Sequence, residues 1–128
     1  IHKFTRLIDK EKPIPFFGDG TTARDYTYFD DIIEGIICAL NKLAGFNVYN
    51  LGESRIITLN ELIRIIENLL QKRAIIEKHP LQPGDVERTF ADISKAQKEL
   101  GYNPKYNFEL GMQKFVEWYN ANKKVLYP

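Results

Sequence analysis

The sequence of 128 residues contains a single cysteine, Cys38, which lies inside an apolar run. One cysteine cannot form a disulfide within the chain, and this is typical of proteins from a reducing, cytoplasmic compartment. We expect Cys38 to be a buried core thiol, because nothing in the sequence supplies a neighbouring base that would activate it.

The sequence also lacks an excess of charge of either sign. Its 18 Lys and Arg residues and 17 Asp and Glu residues leave a formal net charge of +1. A dedicated nucleic-acid or membrane-surface binder needs a strong basic excess, so neither kind of partner is expected. A local basic site for one anionic ligand remains compatible with this balance.

Long hydrophobic runs are missing as well. No apolar stretch approaches the length of a membrane span, and no signal peptide is recognisable. The chain opens at Ile1, within a helical pattern, and we therefore expect it to be part of a longer protein.

Several motifs of catalytic and metal sites are absent. The two histidines, His2 and His79, stand alone without the companions of a metal site. The sequence has no nucleophile elbow, no P-loop and no glycine-rich dinucleotide fingerprint. Tyr119 and Lys123 have the Tyr-x-x-x-Lys spacing of a dehydrogenase pair, but Tyr119 falls on an apolar helical stripe and is predicted to be a core residue.

The patterns that are present predict a mixed α/β (α+β) fold. A hydrophobic fraction of 44% in 128 residues is enough for one compact domain over residues 1–128. We predict four to five helices with short strands, and no repeats or linkers. The predicted helices cover residues 1–8, 30–44, 59–70, 92–100 and 107–119; the predicted strands cover residues 14–17, 24–28, 46–51 and 74–78.

Three features mark the helix ends. Thr58 and Glu61 form a capping box, Asp30 and Asp92 are predicted to cap two other helices, and the last helix is predicted to start at Asn107. Asp31 is predicted to add favourable first-turn charge. We expect the second helix to turn an apolar face inward, formed by Ile33, Ile36, Ile37, Leu40 and Leu43.

The segment 18–31 holds the most informative pattern. A turn flanked by Gly18 and Gly20 leads to one arginine, Arg24, among several aromatic residues. A guanidinium can hold two anionic oxygens at once, and an aromatic ring can lie against a planar base. This suits a ligand with a phosphate and a base. The alternative is a plain hairpin loop in which Arg24 pairs with a nearby acid.

The loop 82–89 is a second candidate site. It offers Gln82, Asp85 and Arg88 within seven positions, and Pro83 and Gly84 shape it tightly. A surface loop with solvated charges is the alternative for this segment. Two loops that each bring an arginine are more suggestive than either one alone.

These segments, taken in order, resemble the second half of NAD-dependent nucleotide-sugar epimerases of the extended short-chain dehydrogenase/reductase superfamily. Each motif is weak alone, but five in the same order at plausible spacing make the resemblance strong, and it runs through essentially the whole chain. The segments are Gly-Asp-Gly at 18–20, Arg-Asp-Tyr-Thr-Tyr at 24–28 with Asp-Asp at 30–31, Asn-Leu-Gly-Glu-Ser at 50–54, Gln-Pro-Gly-Asp-Val at 82–86 with Ala-Asp-Ile-Ser-Lys-Ala at 91–96, and Leu-Gly-Tyr-Asn-Pro at 100–104.

The resemblance implies roles for residues of the first candidate site. Arg24 matches the arginine that binds the UDP pyrophosphate, and Tyr26 matches a position that lines the nucleotide site. Residues 15–17 resemble the strand beside the uracil, where Pro15 borders the base and Phe17 is the implied ring contact.

The resemblance also implies roles in the second loop. Asp85 matches the acid that accepts hydrogen bonds from the ribose. Gln82 departs from the glucose 4-epimerase pattern, which has a phosphate-binding arginine there, and the Gln-Pro-Gly-Asp-Val form is similar to the UDP-glucuronate 4-epimerase branch. Arg88 is a candidate substitute for the missing phosphate ligand.

The resemblance further implies what this chain lacks. Such enzymes bind NAD on an N-terminal doubly wound domain, which also carries the catalytic Tyr and Lys. They remove the C4 hydride to NAD, form a 4-keto sugar and return the hydride to the opposite face. We therefore expect this chain to bind the UDP-sugar, to need its own N-terminal cofactor domain and to be inactive alone. The parent enzyme is expected to be a homodimer.

Two other readings stay open. A nucleotide-sugar dehydratase or decarboxylase on the same scaffold would share Arg24 and its turn. A stand-alone, non-catalytic module that binds a nucleotide or a protein would need no cofactor domain at all.

Overall fold

The structure, a computed structural model, describes residues 1–42 and 45–127. Within this part of the chain, five helices and four short strands form a mixed α/β fold of the kind predicted from the sequence. The helices are α1 His2–Asp9, α2 Phe29–Asn41, α3 Leu59–Leu70, α4 Ser94–Leu100 and α5 Phe108–Leu126; the strands are β1 Pro13–Phe17, β2 Ala23–Asp25, β3 Ile56–Thr58 and β4 Ile75–His79.

The strands form two separate pairs. β1 and β4 run parallel, in a register that begins at Pro13 and Ile75 and ends at Phe17 and His79. β2 and β3 run antiparallel. The parallel pair therefore brings the ends of β1 and β4 together, and the chain leaves both strands at the same edge.

Helices α1, α3 and α5 pack around β1 to form the main core. The predicted capping box is confirmed, since the Glu61 N–H donates to Thr58 Oγ1 at 3.2 Å and the Thr58 N–H donates to Glu61 Oε2 at 2.8 Å. The residues buried in this core are Ile8, Ile14, Phe16, Ile57, Leu62, Ile63, Ile66, Phe108 and Met112.

Two predicted helix caps are wrong. Tyr28 is the N-cap of α2 and makes no side-chain cap bond, while Asp30 lies in the first turn. Ile93 is the N-cap of α4, and Asp92 stands one position earlier, where it accepts from the Ser94 N–H at 2.9 Å. Asn107 does cap α5, accepting from the Leu110 N–H.

Asp31 has a structural role that its sequence position did not reveal. Its side chain is buried, and its two oxygens accept from the backbone N–H groups of Lys105 and Tyr106 at 2.8 and 3.0 Å. A buried carboxylate is tolerated where donors compensate its lost hydration. Asp31 therefore fastens the start of α2 to the segment that precedes α5.

The predicted inward face of α2 is wrong. Ile33, Ile36, Ile37 and Leu40 are 48%, 49%, 50% and 60% exposed, while Asp31 and Gly35 are the buried residues of that helix. Leu43, which was assigned to the same face, lies outside the described residues. The helix thus leaves an apolar stripe uncovered.

Two strand predictions also need correction, and one strand was missed. Residues 46–51 form no strand, and Phe46 and Val48 are exposed. β2 ends at Asp25 and not at Tyr28, and its partner β3 was not predicted. The segment 46–51 has strand-like residues but no strand beside it in the described residues, and an unpaired strand in water gains little.

Two smaller predictions have different outcomes. Cys38 is half-buried against the cluster around Tyr102 and not fully enclosed. Tyr119 is fully buried, as predicted, and its hydroxyl donates to Asp9 Oδ2 at 3.2 Å. Lys123 Nζ lies 2.9 Å from the same oxygen, so this pair anchors α5 to α1. Of the helices in residues 1–42 and 45–127, none has the length and apolar character to cross a membrane.

Candidate functional site

The two candidate segments of the sequence meet beside β2. The Ala23 N–H donates to the Glu87 carbonyl at 2.8 Å, and the Thr89 N–H donates to the Ala23 carbonyl at 3.2 Å. A parallel bridge joins Ala23 to Arg88. The end of the 82–89 loop therefore lies along β2 like a third short strand, which places it next to Arg24.

A tight turn at residues 82–85 presents Asp85. The Asp85 N–H donates to the Gln82 carbonyl at 3.1 Å, Pro83 occupies the second position, and Gly84 has a φ of 82°. Proline followed by a residue with positive φ is the signature of a type II turn. Glycine is required at the third position, because other residues adopt this φ only with strain.

Arg24 and Asp85 form an ion pair. Arg24 Nη2 lies 2.7 Å from Asp85 Oδ1. Arg24 Nη1 donates to its neighbour's carbonyl, Ala23 O, at 2.9 Å and makes a long contact of 3.5 Å with Glu87 O. This ion pair agrees with the alternative in which Arg24 pairs with a nearby acid. The acid, however, is Asp85, the residue to which the resemblance assigns the ribose.

The ion pair is open to solvent. The side chains of Arg24 and Asp85 are 27% and 40% exposed. Exposed pairs of this kind contribute about 0–1 kcal/mol, because water screens the attraction and ordering two side chains costs entropy. A guanidinium has five N–H donors, and Nε of Arg24 has no hydrogen-bond partner among the described residues. Arg24 can therefore accept an anionic ligand without breaking a strong contact.

Asp25 is a structural residue of the site that sequence reasoning missed. Its carboxylate accepts from the N–H groups of Glu53, Ser54 and Ala91 at 3.3, 3.2 and 3.1 Å. These bonds tie β2 to the segment before β3 and to Ala91, two positions after the 82–89 loop. A Cβ atom at residue 52 would lie 2.6 Å from Ala91 Cβ, so the close approach of these two segments requires Gly52.

Phe17 and Pro15 lie on β1, and Phe17 stands at the end of that strand, beside the start of the loop that follows β4. Pro15 is half-buried and pairs in register with Glu77. The Phe17 ring stacks on His79, with centroids 5.2 Å apart and an angle of 30° between the planes. His79 had no predicted role, and only the pairing of β4 with β1 shows it to be a neighbour of Phe17.

Tyr26 faces a different part of the molecule. Its ring lies 5.4 Å from that of Phe108, and burial raises the pKa of its hydroxyl. Tyr26 lines an apolar cavity of about 600 Å³ on the side of α5, to which Arg24 does not contribute. The cavity is lined mainly by aromatic residues, among them Tyr28, Phe29, Phe108, Phe115 and Trp118.

Gln82 and Arg88 lie in the exposed loop. The Gln82 carbonyl closes the turn that presents Asp85. No ion pair or side-chain hydrogen bond of Arg88 is found within residues 1–42 and 45–127. Arg88 is thus a cation available to a ligand, whereas the role of Gln82 in the structure is a backbone one.

The glycine turn after β1 differs from a dinucleotide-binding turn. The spacing Gly18-x-Gly20-x-x-Ala23 approaches the dinucleotide fingerprint, but it leads from β1 into β2 and not into a helix. Helix α3 begins nearby, where its Leu59 and Asn60 N–H groups donate to the carbonyls of Thr22 and Gly20. These N–H groups are not free to bind a pyrophosphate. In the described part of the chain, no group of three or more His, Cys, Asp or Glu side chains can hold a metal ion.

The chain has clear relatives. A family model described as GDP-mannose 4,6 dehydratase matches residues 1–115. The chain belongs to this family. The predicted resemblance to the epimerases of the extended short-chain dehydrogenase/reductase superfamily is confirmed by this match and by the epimerases among the relatives.

One curated relative of this family member is a UDP-glucuronate 4-epimerase from Thermodesulfobacterium geofontis. It is 42% identical over 127 residues, which cover 98% of this chain and 39% of the relative.

Two solved structures share the fold. The UDP-glucuronic acid 4-epimerase of Bacillus cereus, in complex with UDP-glucuronic acid and NAD, is 31% identical with a TM-score of 0.84 and matches 94% of this chain and 39% of its own. The UDP-glucose 4-epimerase of Thermotoga maritima with UDP-glucose is 30% identical with a TM-score of 0.88 and the same coverage. This chain thus spans about two fifths of the length of these relatives.

Proposed function

We propose that this chain is the UDP-binding part of an NAD-dependent UDP-sugar 4-epimerase. It holds the nucleotide of UDP-glucuronate or UDP-glucose and orients the sugar toward a cofactor-binding part of the same enzyme. The contribution to catalysis is binding energy and orientation, since a reacting group must be held in place before hydride transfer.

The observation that carries the proposal is the contact between Arg24 and Asp85. Two segments far apart in sequence meet at a 2.7 Å ion pair that joins a phosphate-type cation to an acceptor suited to sugar hydroxyls. A nucleoside diphosphate needs both, because its diphosphate takes donors and its ribose hydroxyls need an acceptor. Arg88, free of other partners in the described residues, supplies a second positive charge nearby.

The chemistry of hydride transfer lies outside this chain. Relatives of the chain were solved with NAD, which accepts and returns a hydride, and they are about two and a half times longer. The chain's own glycine turn leads from β1 into β2 and not into a helix that could hold a pyrophosphate. We therefore propose that the chain alone has no epimerase activity.

The apolar stripe of α2 is proposed to be the surface that meets the cofactor-binding part. Four exposed side chains, Ile33, Ile36, Ile37 and Leu40, lie on this stripe. The neighbouring segment 46–51 has strand-forming residues without a partner strand in the described structure. A sheet in the remaining three fifths of the enzyme would cover the stripe and could accept 46–51 as an added strand. A second copy of this chain is the other occupant that the test must exclude.

The nucleotide that the chain binds distinguishes the UDP-sugar epimerase proposal from the dehydratase alternative. The matching family model is described as a GDP-mannose 4,6 dehydratase, whereas the epimerase relatives are named for UDP-sugars. Calorimetric titration of the chain with UDP and with GDP tests this directly. We expect tighter binding of UDP; tighter binding of GDP would favour the dehydratase reading, and absence of nucleotide binding would favour a module with a protein partner.

Turnover by the full-length enzyme tests which sugar the substrate carries. The Gln82 form of the loop favours UDP-glucuronate. Comparing kcat/KM for UDP-glucuronate and UDP-glucose tests this, and a preference for UDP-glucose would contradict the assignment to the glucuronate branch.

A further inference from the structure

Phe17 and His79 form a stacked ring pair at the end of the parallel sheet. They are the last register partners of β1 and β4, and their ring centroids are 5.2 Å apart with a 30° angle between the planes. The Gly18 N–H donates to the His79 carbonyl at 2.9 Å, so the backbone fixes the two residues where the chain leaves the sheet. Both side chains are half-buried.

The imidazole of His79 is held on a second side. Its Nε2 lies 3.0 Å from Oε1 of Glu77, which precedes it by two positions and so lies on the same face of β4. The carboxylate at the ring edge and Phe17 at the ring face restrict rotation of the imidazole. In turn, the imidazole limits the orientations of the Phe17 ring, whose χ2 would otherwise vary broadly.

The ring pair and the ion pair are connected by one short loop. Residues 80–84 are all that separate His79 from Asp85, which contacts Arg24. Gly18 has a positive φ and packs against Leu81 of that loop, so a side chain at residue 18 would collide with Leu81. A nucleoside diphosphate has a planar base at one end and a diphosphate at the other. These two groups match the Phe17–His79 ring pair and the Arg24 cation, which the same loop contacts through Asp85.

We propose that His79 is a positioning residue for the nucleobase. Its imidazole covers one face of Phe17 and fixes the plane of that ring, so that Phe17 presents its remaining surface to the base of the bound nucleotide. This inference rests on the proposed function, because it takes the ligand to be a nucleoside diphosphate.

The test compares two ligands that differ in the base. The full 128-residue chain and the variants His79→Ala and His79→Phe are titrated by NMR with UDP and with inorganic pyrophosphate. We expect His79→Ala to weaken UDP binding by about two- to tenfold, the size of one aromatic contact. Pyrophosphate affinity should stay unchanged, and His79→Phe should restore UDP binding. Lys78→Ala, on the opposite face of β4, is the matched control and should change neither affinity.

The outcomes separate the two proposals. Unchanged UDP affinity in His79→Ala, or equal losses for UDP and pyrophosphate, overturns the role of His79. If Arg24→Ala leaves both ligands unaffected, the proposed function itself fails. If His79→Ala does not fold, as judged by circular dichroism, His79→Leu keeps the bulk without the ring and provides the same comparison.

Discussion

Arg24 on β2 donates from Nη2 to Oδ1 of Asp85 at 2.7 Å, across 61 positions of sequence. The contact exists because residues 87–89 pair with Ala23 and because the Gln82–Asp85 turn directs the aspartate back toward β2. The proposed phosphate-binding cation and the proposed hydroxyl acceptor are therefore bound to each other. On the proposed function, a bound nucleoside diphosphate would share or replace this contact.

Asp85→Asn should separate the two roles of the pair. Removing the charge frees Arg24 from a competing anion, and so pyrophosphate affinity should stay equal or rise. The amide is a poorer acceptor for ribose hydroxyls, because charge-assisted bonds contribute about 1.5–3 kcal/mol and neutral ones about half of that. UDP affinity should fall by about 1 kcal/mol in calorimetry. Parallel losses of UDP and pyrophosphate would contradict a ribose role for Asp85.

Substitutions on the α2 stripe should affect the full-length enzyme and not the chain alone. Ile33→Lys combined with Ile37→Lys alters side chains that are half exposed, so the free energy of unfolding of the 128-residue chain should change by only about 0.5 kcal/mol. The same pair should abolish epimerase activity in the full-length enzyme while UDP binding persists.

Ile66→Ala is the control for the stability measurement. Ile66 is fully buried, so its truncation should lower the free energy of unfolding by about 2–5 kcal/mol. Full activity of the double-lysine enzyme would refute the proposed docking surface. If the wild-type chain dimerises in sedimentation experiments and the lysine variants do not, the stripe binds a second copy of the chain instead.

The Asp9 cluster should make stability depend on acid pH. Burial raises the pKa of Asp9, but hydrogen bonds from Lys123 and Lys72 outweigh this and hold the pKa below its ordinary value of 3.8. A lowered folded pKa means that the carboxylate stabilises the fold above pH 3.8, and that this stabilisation is lost as the pH falls through the folded pKa.

Asp9→Asn tests this dependence by chemical denaturation at several pH values. At pH 7 the variant should lose about 1.5–3 kcal/mol, as expected for hydrogen bonds to a charged group. Below the folded pKa of Asp9 the wild type should converge on the variant. A difference that stays constant down to the acid limit would show that Asp9 does not titrate as the structure requires.

The fold could be predicted from sequence where one segment carries its own signal. The Thr58–Glu61 capping box, the start of the last helix at Asn107 and the periodic apolar residues of α3 depend on local patterns, and all three are confirmed. The inward face of α2 and the strand at 46–51 were wrong, since an apolar stripe indicates burial but not what buries it. Within the described residues, the side chains of the α2 stripe stay exposed and no strand pairs with residues 46–51.

The candidate site, like the fold, could be predicted only where a local sequence pattern marks a residue. Arg24 and Asp85 were picked as site residues from their motifs, and the structure brings them into contact. That they bind each other depends on the pairing of residues 87–89 with β2, which no local pattern reveals. His79 and Asp25 were missed for the same reason, because their contacts with Phe17 and with residues 53–54 and 91 are long-range.

The most direct test of the account is the affinity of Arg24→Ala for UDP. We expect calorimetry on the full-length enzyme, or an NMR titration of the 128-residue chain, to show a loss of about 1.5–3 kcal/mol with the fold intact, the contribution of a charge-assisted contact. Arg73→Ala, at an exposed arginine paired with Glu67 at the end of α3, is the matched control and should bind UDP like the wild type. If UDP binds equally well to Arg24→Ala, the proposal that this site holds the UDP of a nucleotide sugar is contradicted.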